Sequence, residues 1–409
     1  ILIIVVELSI FGIPMNQIFP ISDNDTTDVH SGLSGLFQID SDGYYYYDSQ
    51  QNGAVLDGNE IKVYDATVAP DFADYGNFLP FNSSWVNKTS SGSIYNYLNR
   101  SDVDYWFGMN VGMNFYQPTD GKVNGKEMVF EFSGDDDVWV FIDGVLVLDL
   151  GGIHGRLDGS INFATGNVVA DGNPTTIKDC YQIAFKEKNP DATDEEIDAY
   201  LNNIFDSSGK FLNYSDHRLE FFYLERGGGA ANCRLRFNMP SLPNDGITVS
   251  KVIDNYDEGA YTDVEFEFEL YIDKDGDGTV EKSEKITSYD SEKWPTSYTV
   301  KQIGSTDAGE TRQLGEDGIF KLKHNEMATF SGIQVNTLYK VKEVGVSQSE
   351  YDNIWVTSGV TDVTGDNNLS DGTTNKYAET KVLSVGTNIQ AVFHNQCNPL
   401  NMKNLYIHK

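Results

Sequence analysis

The stretch Val138-Trp-Val-Phe-Ile-Asp-Gly-Val-Leu-Val-Leu-Asp-Leu150 consists of two apolar runs joined by Asp143-Gly144. An Asp-Gly pair between apolar runs is typical of a type I′ turn, so the stretch predicts a β-hairpin. Similar aromatic and β-branched runs, separated by Gly, Asn and Asp, recur along the chain. This pattern indicates an all-β protein.

Outside this hairpin the same pattern predicts strands over Leu36–Asp40, Tyr44–Asp48, Met128–Phe132, Leu219–Leu224, Arg234–Phe237, Ile247–Ile253, Val264–Ile272, Gly318–Lys323, Tyr339–Val344 and Ile389–His394. One helix is predicted, because Thr193 and Glu196 form a capping box ahead of apolar residues at helical spacing. The expected architecture is two tandem β-sandwiches, of which the first is larger and carries a helical insertion.

A chain of 409 residues is too long for one ordinary domain. We predict an apolar strand or leader remnant (1–24), a first sandwich (25–240), a linker (241–246), a second sandwich (247–396), and a linker with the start of a further domain (397–409). The further domain is inferred because Leu405–Lys409 resembles Ile247–Lys251. The apolar strand at the N-terminus could be donated to a neighbouring subunit.

The charge balance excludes several partners. The chain has 62 acidic and 29 basic side chains, and a net charge of −33 repels nucleic acid and anionic membranes. The apolar run Ile1–Pro14 is too short to span a bilayer. The three cysteines form no CxxC pair, which argues against structural zinc, and both a Cys180–Cys233 disulfide and free thiols are open.

Three consecutive carboxylates, Asp135, Asp136 and Asp137, precede the hairpin. Carboxylates this close require a counter-charge, and calcium, which binds six to eight oxygen ligands, would supply it. The alternative is a solvated acidic turn. His154, in Gly-Gly-Ile-His-Gly, is expected to be a hydrogen-bonded structural residue, because the histidines show no metal-ligand spacing.

This stretch, with His217–Gly229 and Asn232–Asn238, resembles the fibro-slime domain, a family of surface and matrix proteins related to the sandwich of yeast flocculins. The resemblance covers about residues 30 to 240. It implies a calcium ion held by two aspartates that are joined by a cis peptide, and sugar hydroxyls bound to that calcium. The pair corresponds to Asp135 and Asp136. If the alignment is shifted by one residue, Asp137 belongs to the pair instead.

The second sandwich carries Lys251 in its first strand, Glu343 in a late strand and Asn395 after the last strand. Their order and setting resemble the pilin and collagen-adhesin domains that form an intramolecular Lys–Asn isopeptide bond. Burial would keep the lysine neutral and nucleophilic and Glu343 protonated, so that Glu343 shuttles protons while ammonia leaves. The alternative is a Lys251–Glu343 salt bridge with Asn395 in a turn. The roles of Glu343 and Asn395 are sensitive to alignment, because Lys342 lies next to Glu343 and a second asparagine, Asn398, lies three residues after Asn395.

The segment 273–284 fits the twelve-residue calcium loop, with glycine at position 6. The expected ligands are Asp273, Asp275, Asp277, Thr279, Glu281 and Glu284. Because the preceding residues alternate like a strand, we predict that the loop is inserted in a β-hairpin. The alternative is an acidic turn without calcium.

Together these features predict an extracellular surface or matrix protein that adheres to glycans in a calcium-dependent way. The second domain would be a covalently stabilised stalk. The alternative is a structural subunit of a self-assembling fibre or pilus that exchanges its N-terminal strand. No phosphate loop, nucleophile elbow or assignable carboxylate pair indicates an enzyme, so the only predicted chemistry is isopeptide formation.

Overall fold

The computed structural model of the protein describes residues 2–5, 29–65, 78–82, 86–89, 92–95, 105–226, 230–240, 246–255, 263–305, 307–358, 363–386 and 390–398. These residues form many β-strands and two α-helices, which is the predicted all-β class. The chain divides into two compact units. The first contains residues 1–115, 121–211 and 217–239, and the second contains residues 116–120, 212–216 and 240–409.

The described strands up to residue 240 are β1 (Leu2–Val5), β2 (Val29–Ser31), β3 (Gln38–Ile39), β4 (Tyr45–Asp48), β5 (Asn52–Asp57), β6 (Glu60–Asp65), β7 (Val86–Thr89), β8 (Gly92–Tyr95), β9 (Phe107–Tyr116), β10 (Lys122–Val123), β11 (Lys126–Glu127), β12 (Val129–Gly134), β13 (Asp137–Ile142), β14 (Val145–Leu150), β15 (Leu157–Asn162), β16 (Asn167–Ala170), β17 (Asn173–Thr176), β18 (Asp216–Glu225) and β19 (Cys233–Phe237). The predicted β13–β14 hairpin is confirmed: Asp143 and Gly144 have φ of 50° and 77°, as a type I′ turn requires.

Two large sheets form the first unit. One has the order β14–β13–β18–β9–β1–β2, and the other β17–β16–β15–β12–β19–β4–β3; β5–β6–β8–β7 and β10–β11 form smaller sheets. The large sheets pack face to face, because the ring of Phe221 on β18 lies 5.5 Å from that of Phe132 on β12. Along β12 the residues alternate between core and surface, so Phe130 and Phe132 are buried while Glu131 is exposed.

The helices are α1 (Ile177–Lys188) and α2 (Asp194–Asn202). The predicted capping box is present at α2, where Thr193 and Glu196 each satisfy a main-chain N–H of the other. Helix α1 was not predicted, although Ile177 and Tyr181, both buried, have helical spacing.

The second unit contains β20 (Gly246–Asp254), β21 (Phe266–Ile272), β22 (Ser297–Gln302), β23 (Glu310–Gln313), β24 (Ile319–Leu322), β25 (Glu326–Ser331), β26 (Leu338–Ser347), β27 (Tyr351–Thr357), β28 (Leu369–Ser370), β29 (Asn375–Glu379), β30 (Leu383–Ser384) and β31 (Gln390–Cys397). Its two sheets have the orders β23–β22–β25–β20–β31–β27 and β24–β21–β26–β29–β28, with β30 beside β26. The rings of Phe268 on β21 and Phe393 on β31 meet at 5.3 Å between the sheets. The first and last strands, β20 and β31, are parallel neighbours in one of these sheets. Strand β26 belongs to the sheet that packs against it.

Several predictions concern the chain ends and the cysteines. Strand β1 pairs in parallel with β2 and β9 of its own chain. All three cysteines are free thiols, so the disulfide alternative is wrong. Residues 241–245 of the predicted linker (241–246) and the repeat near 405–409 lie outside the described residues, and Gly246 begins β20.

Candidate functional site

Lys251, Glu343 and Asn395 meet inside the second unit, where none of the three has exposed surface. Lys251 Nζ lies 2.9 Å from Glu343 Oε1. Asn395 Nδ2 donates a hydrogen bond to the same oxygen at 3.0 Å. The structure thus brings together all three residues predicted to react, and the carboxyl of Glu343 contacts both the amine and the amide.

Strand register explains why Lys251 and Asn395 share this site. Lys251 on β20 is in register with Phe393 on β31, and Ile253 is in register with Asn395. Because side chains alternate across a strand, the four residues face the same side of the sheet. Asn395 lies within β31 rather than after the last strand, so both the predicted position and the alternative that it is a turn residue are wrong.

The position of Glu343 is decided by the alternation along β26. Tyr339, Val341 and Glu343 are buried, whereas the intervening Lys340 and Lys342 lie on the other face. Lys342 Nζ lies 4.0 Å from the ring centre of Tyr377. The carboxyl therefore reaches the site from the sheet opposite β20 and β31, and Lys342 does not.

The two ionisable groups have shifted pKa values. Burial lowers the pKa of Lys251 to about 8, although the charge of Glu343 acts in the opposite direction. Burial likewise raises the pKa of Glu343, against the effect of Lys251 and of the Asn395 hydrogen bond. The two proton affinities approach each other, so a proton moving across the 2.9 Å contact produces a neutral amine beside a carboxylic acid. Only the unprotonated amine can act as a nucleophile.

Two buried polar atoms of the site, Asn395 Oδ1 and Glu343 Oε2, have no hydrogen-bond partner among the described residues. A half-turn of the Asn395 amide exchanges its oxygen and nitrogen. Its oxygen then accepts a hydrogen bond from protonated Glu343, which polarises the amide carbon for attack. The arrangement therefore contains a nucleophile, a polarised electrophile and a group that can carry the proton between them.

Sequence analysis did not identify Phe266, whose ring centre lies 4.4 Å from Lys251 Nζ. Phe266 begins the alternating run of β21 and points into the core, a signal visible in the sequence. Its ring helps to exclude water from the amine. Lys251 Nζ also donates a hydrogen bond to the main-chain oxygen of Phe393 at 3.4 Å.

A second network missed by sequence analysis surrounds His394, which precedes Asn395. Its Nδ1 lies 3.1 Å from Asp254 Oδ2, and its Nε2 lies 2.9 Å from Thr357 Oγ1. The imidazole also stacks on Trp355 at 5.1 Å. These contacts connect β20, β31 and β27 at the level of Asn395 and hold the strand that positions it.

The predicted calcium loop partly converges. Asp273, Asp275 and Asp277 each place one carboxylate oxygen within 4.8 Å of the others. Gly278, at the sixth position, has φ of 89°, a conformation that glycine adopts without strain. Asp273 accepts hydrogen bonds from the N–H groups of Gly276 at 2.7 Å and Gly278 at 3.0 Å. Three of the six predicted ligands therefore share one site.

Glu281 and Glu284 lie along the same loop but outside that cluster. The buried Glu284 carboxylate accepts hydrogen bonds from the N–H groups of Lys274 at 2.6 Å and Glu281 at 2.9 Å. The Thr279 hydroxyl donates to Asp277 at 2.8 Å. The predicted insertion in a β-hairpin is wrong: a single bridge, Tyr271 to Lys285, closes the loop, and the chain then crosses to the other sheet at β22.

Asp135, Asp136 and Asp137 are all buried, and each has separate protein donors. Asp135 accepts from the main-chain and side-chain nitrogens of Asn232 at 2.5 and 3.2 Å. Asp136 accepts from the N–H of Arg226 at 2.7 Å, and Asp137 from the Arg226 guanidinium at 2.9 Å. The solvated-turn alternative is therefore wrong. The Arg226 guanidinium supplies a positive charge to one of the three carboxylates, that of Asp137.

The structure does not bring these three carboxylates together as a metal cluster. Among the described residues, the acidic group whose oxygen atoms all lie within 4.8 Å of one another is Asp273, Asp275 and Asp277. The implied cis peptide is also wrong, because the described residues contain no cis peptide bond. The chain turns instead at Asp136, whose φ is 61°. Calcium at this loop stays a prediction.

Glu225 is a further buried acid of this region that sequence analysis missed. Its Oε2 atom accepts a hydrogen bond from the Tyr223 hydroxyl at 2.8 Å. Burial, followed by the negative charge of Asp136, raises the pKa of Glu225 to about 9. Glu225 is therefore protonated at neutral pH. His154, by contrast, is the structural residue predicted, since its ring nitrogens lie 2.8 Å from Leu150 O and 2.9 Å from Gly155 O.

Comparison with known proteins gives partial matches. Residues 245–395 match the family model of a domain of unknown function, DUF7601, and this range contains all three residues of the Lys–Glu–Asn site. The chain is similar to protein psiF of Dictyostelium discoideum, with 30% identity over 187 residues that cover 44% of this chain and 21% of psiF. Protein psiB of the same organism is 34% identical over 128 residues, 30% of this chain and 22% of psiB. The chain spans about a fifth of the length of these relatives.

Among solved structures, the major pilin of Streptococcus pyogenes is similar with 12% identity, 72% of this chain and 99% of the pilin covered, and a TM-score of 0.22. An adhesin from Mobiluncus mulieris with disulfide, isopeptide and ester cross-links is 11% identical, over 71% of this chain and 99% of the adhesin, with a TM-score of 0.20. Scores of this size do not establish a shared overall fold. No helix in the described ranges is long and apolar enough to cross a membrane.

Proposed function

We propose that the second unit forms an intramolecular isopeptide bond between Lys251 and Asn395, and that the protein is an extracellular adhesin or pilin-like surface module. The proposal is carried by one observation: a buried lysine, glutamate and asparagine in mutual contact, with the Lys251–Glu343 and Glu343–Asn395 distances at 2.9 and 3.0 Å. Burial and proximity supply what an uncatalysed amide exchange lacks, a neutral amine held against its target.

The reaction balances within the site. The neutral amine of Lys251 attacks Cγ of Asn395, and a new C–N bond forms. Glu343 donates its proton to the amide oxygen and then takes a proton from the attacking nitrogen. Glu343 then passes this proton to Nδ2, and the carbon–nitrogen bond to Nδ2 breaks so that ammonia leaves. The hydroxyl of the intermediate returns its proton to Glu343 as the new amide carbonyl forms. Glu343 ends in its starting state, so it acts as the catalyst.

The position of the bond suggests its mechanical purpose. Lys251 lies on the first strand of the second unit and Asn395 on its last, and the two strands are parallel neighbours. Tension applied through the chain on both sides of this unit would pass through the covalent bond. The strands between the two residues would carry little load. Such a device suits a stalk that holds an adhesive domain away from a cell surface.

Intact mass tests this proposal. The native chain should be one ammonia lighter than its sequence requires, and Lys251→Ala and Glu343→Ala should both restore the full mass apart from the substitution. Lys342→Ala is the matched control, because Lys342 lies next to Glu343 but faces away from the site. A native chain of unmodified mass would refute the bond.

We also propose that residues 273–284 bind calcium, supported by the convergence of Asp273, Asp275 and Asp277. Hard carboxylate oxygens at this spacing are the ligands that calcium prefers. Calorimetry should show one site that is lost in Asp275→Asn combined with Asp277→Asn and kept in Asp371→Asn, an exposed acid elsewhere. A second site, lost in Asp135→Asn, would support the predicted calcium at the first acidic loop.

The adhesive role and the fibre role make different predictions. For adhesion, immobilised glycans should retain the purified protein, with a calcium requirement if sugar is bound through the metal. For a fibre subunit, the protein should assemble into ordered polymers, and deletion of residues 1–14 should abolish assembly. We favour adhesion, because the described part of this segment, β1, pairs within its own chain.

A further inference from the structure

The outer face of the seven-stranded sheet in the first unit carries a cleft that the proposed chemistry does not use. Two adjoining cavities of about 310 and 290 Å³ share Ser133, Asp158 and Arg234 in their walls. Each is near the lower end of the size range of small-molecule sites, about 300–1,000 Å³. A depression of this size on a sheet face requires that some of the outward side chains be shorter than their neighbours.

The cross-strand register provides this arrangement. Ser133 on β12 is in register with Asp158 on β15 and with Arg234 on β19. Phe132 points into the core, so Ser133 faces outward with its two neighbours. A short side chain between two longer ones leaves a trough. Ser160, two residues after Asp158, is also short and extends the floor.

The trough has a small excess of positive charge although the chain is strongly acidic, because three arginines and two carboxylates, Glu131 and Asp158, line it. Three of the seven arginines of the sequence line it: Arg156, Arg234 and Arg236. Arg236 is neutralised by two carboxylates, at 3.3 and 3.2 Å. Arg234 forms an ion pair with Asp48 at 4.0 Å, and its side chain is 60% exposed. Arg156 is exposed and forms no ion pair with any residue that the structure describes. The guanidinium groups of Arg156 and Arg234 are therefore accessible to a ligand.

We propose that this cleft binds an acidic sugar, meaning a saccharide residue with one carboxylate and free hydroxyls. The guanidinium forks of Arg156 and Arg234 suit a carboxylate, which they can bind with two parallel hydrogen bonds. The carboxylate of Asp158 and the hydroxyls of Ser133 and Ser160 suit sugar hydroxyls, which both donate and accept. The three charged groups and the short floor thus match the ligand in sign and in hydrogen-bonding capacity.

The net charge of the whole protein further restricts the class of ligand that the cleft can bind. A net charge of −33 repels a long polyanion, so nucleic acid and polyuronates are disfavoured. A single acidic sugar within a largely neutral glycan avoids this repulsion. The inference specifies the ligand class of the proposed adhesion and rests on that role for its biological setting, whereas the cleft itself involves neither the isopeptide site nor calcium.

Ligand-detected NMR titration at constant ionic strength, with EDTA present, tests the proposal with methyl glucuronide, methyl glucoside, acetate and triglutamate as probes. Methyl glucuronide should bind best, because it alone combines the carboxylate with the sugar hydroxyls. Arg156→Gln and Arg234→Gln should each weaken its binding about tenfold or more, since each removes a charge-assisted hydrogen bond. Arg218→Gln, on the other large sheet, is the matched control and should leave binding unchanged.

Equal binding of methyl glucoside or acetate would overturn the proposal, and so would preferential binding of triglutamate. An equal loss in Arg218→Gln, or no binding of methyl glucuronide, would also overturn it. Circular dichroism of each variant establishes that the fold is retained. Lys251→Ala should bind methyl glucuronide like the native chain, and Arg234→Gln should keep the ammonia deficit. Failure of the cleft and failure of the cross-link are therefore distinguishable.

Discussion

Replacement of Glu343 by glutamine should abolish the cross-link while keeping the shape of the site. The glutamine side chain can still accept a hydrogen bond from Asn395, but it cannot give or take the proton that the reaction needs. Lys251 and Asn395 are 144 positions apart (395 − 251). A covalent bond that closes a loop of this length in the unfolded chain contributes about 5 kcal/mol in the chain-entropy model. For a domain of about 150 residues, this corresponds to a fall in Tm of about 10–20 °C.

Differential scanning calorimetry and intact mass, measured on the same samples, check this expectation. Glu343→Gln should lack the ammonia deficit, and the transition of the second unit should move to lower temperature. Glu267→Gln, on the neighbouring strand β21 with a side chain that is 46% exposed, is the control and should match the native chain in both measurements. The reasoning is refuted if Glu343→Gln has the deficit, or if the native chain and Glu343→Gln have the same Tm.

Three other expectations follow from the structure. Calcium at 100 times its dissociation constant should stabilise the second unit by about 2.7 kcal/mol, and Asp277→Asn should remove this gain in thermal melts; a gain that persists in the variant would exclude the loop. The pKa of Glu225 is about 9 in the folded chain against an ordinary value of 4.5, so between these values the unfolded state releases a proton that the folded state keeps. The stability of the first unit should therefore fall as the pH rises from 4.5 to 9, and Glu225→Gln should raise it at pH 8 by about 2–4 kcal/mol in urea titrations; no gain at pH 8 would contradict the raised pKa. Thr193→Ala should cost about 1 kcal/mol by removing the cap of helix α2, whereas Thr193→Ser should cost less; equal losses in the two variants would argue against the cap.

Features that depend on neighbours along the chain could be predicted from local sequence. The Asp143-Gly144 turn, the alternation of β21 and the capping box at Thr193 follow from local backbone preferences. Local pattern also selected Lys251, because it is the single lysine of the strand that opens the second sandwich. These signals act over a few residues, and a linear pattern records them directly.

Features that depend on which strands become neighbours could not be predicted from local sequence. The parallel pairing of β20 with β31 places Asn395 inside a strand, although its sequence resembled a strand end. After β21 the chain crosses to the other sheet, so the acidic loop does not lie within the β-hairpin that local pattern predicted. Arg226 neutralises Asp137 across 89 positions. The arginine cleft exists only because β15, β12 and β19 are adjacent. Such contacts join residues far apart in sequence, and their energies depend on burial and register, which no short segment specifies.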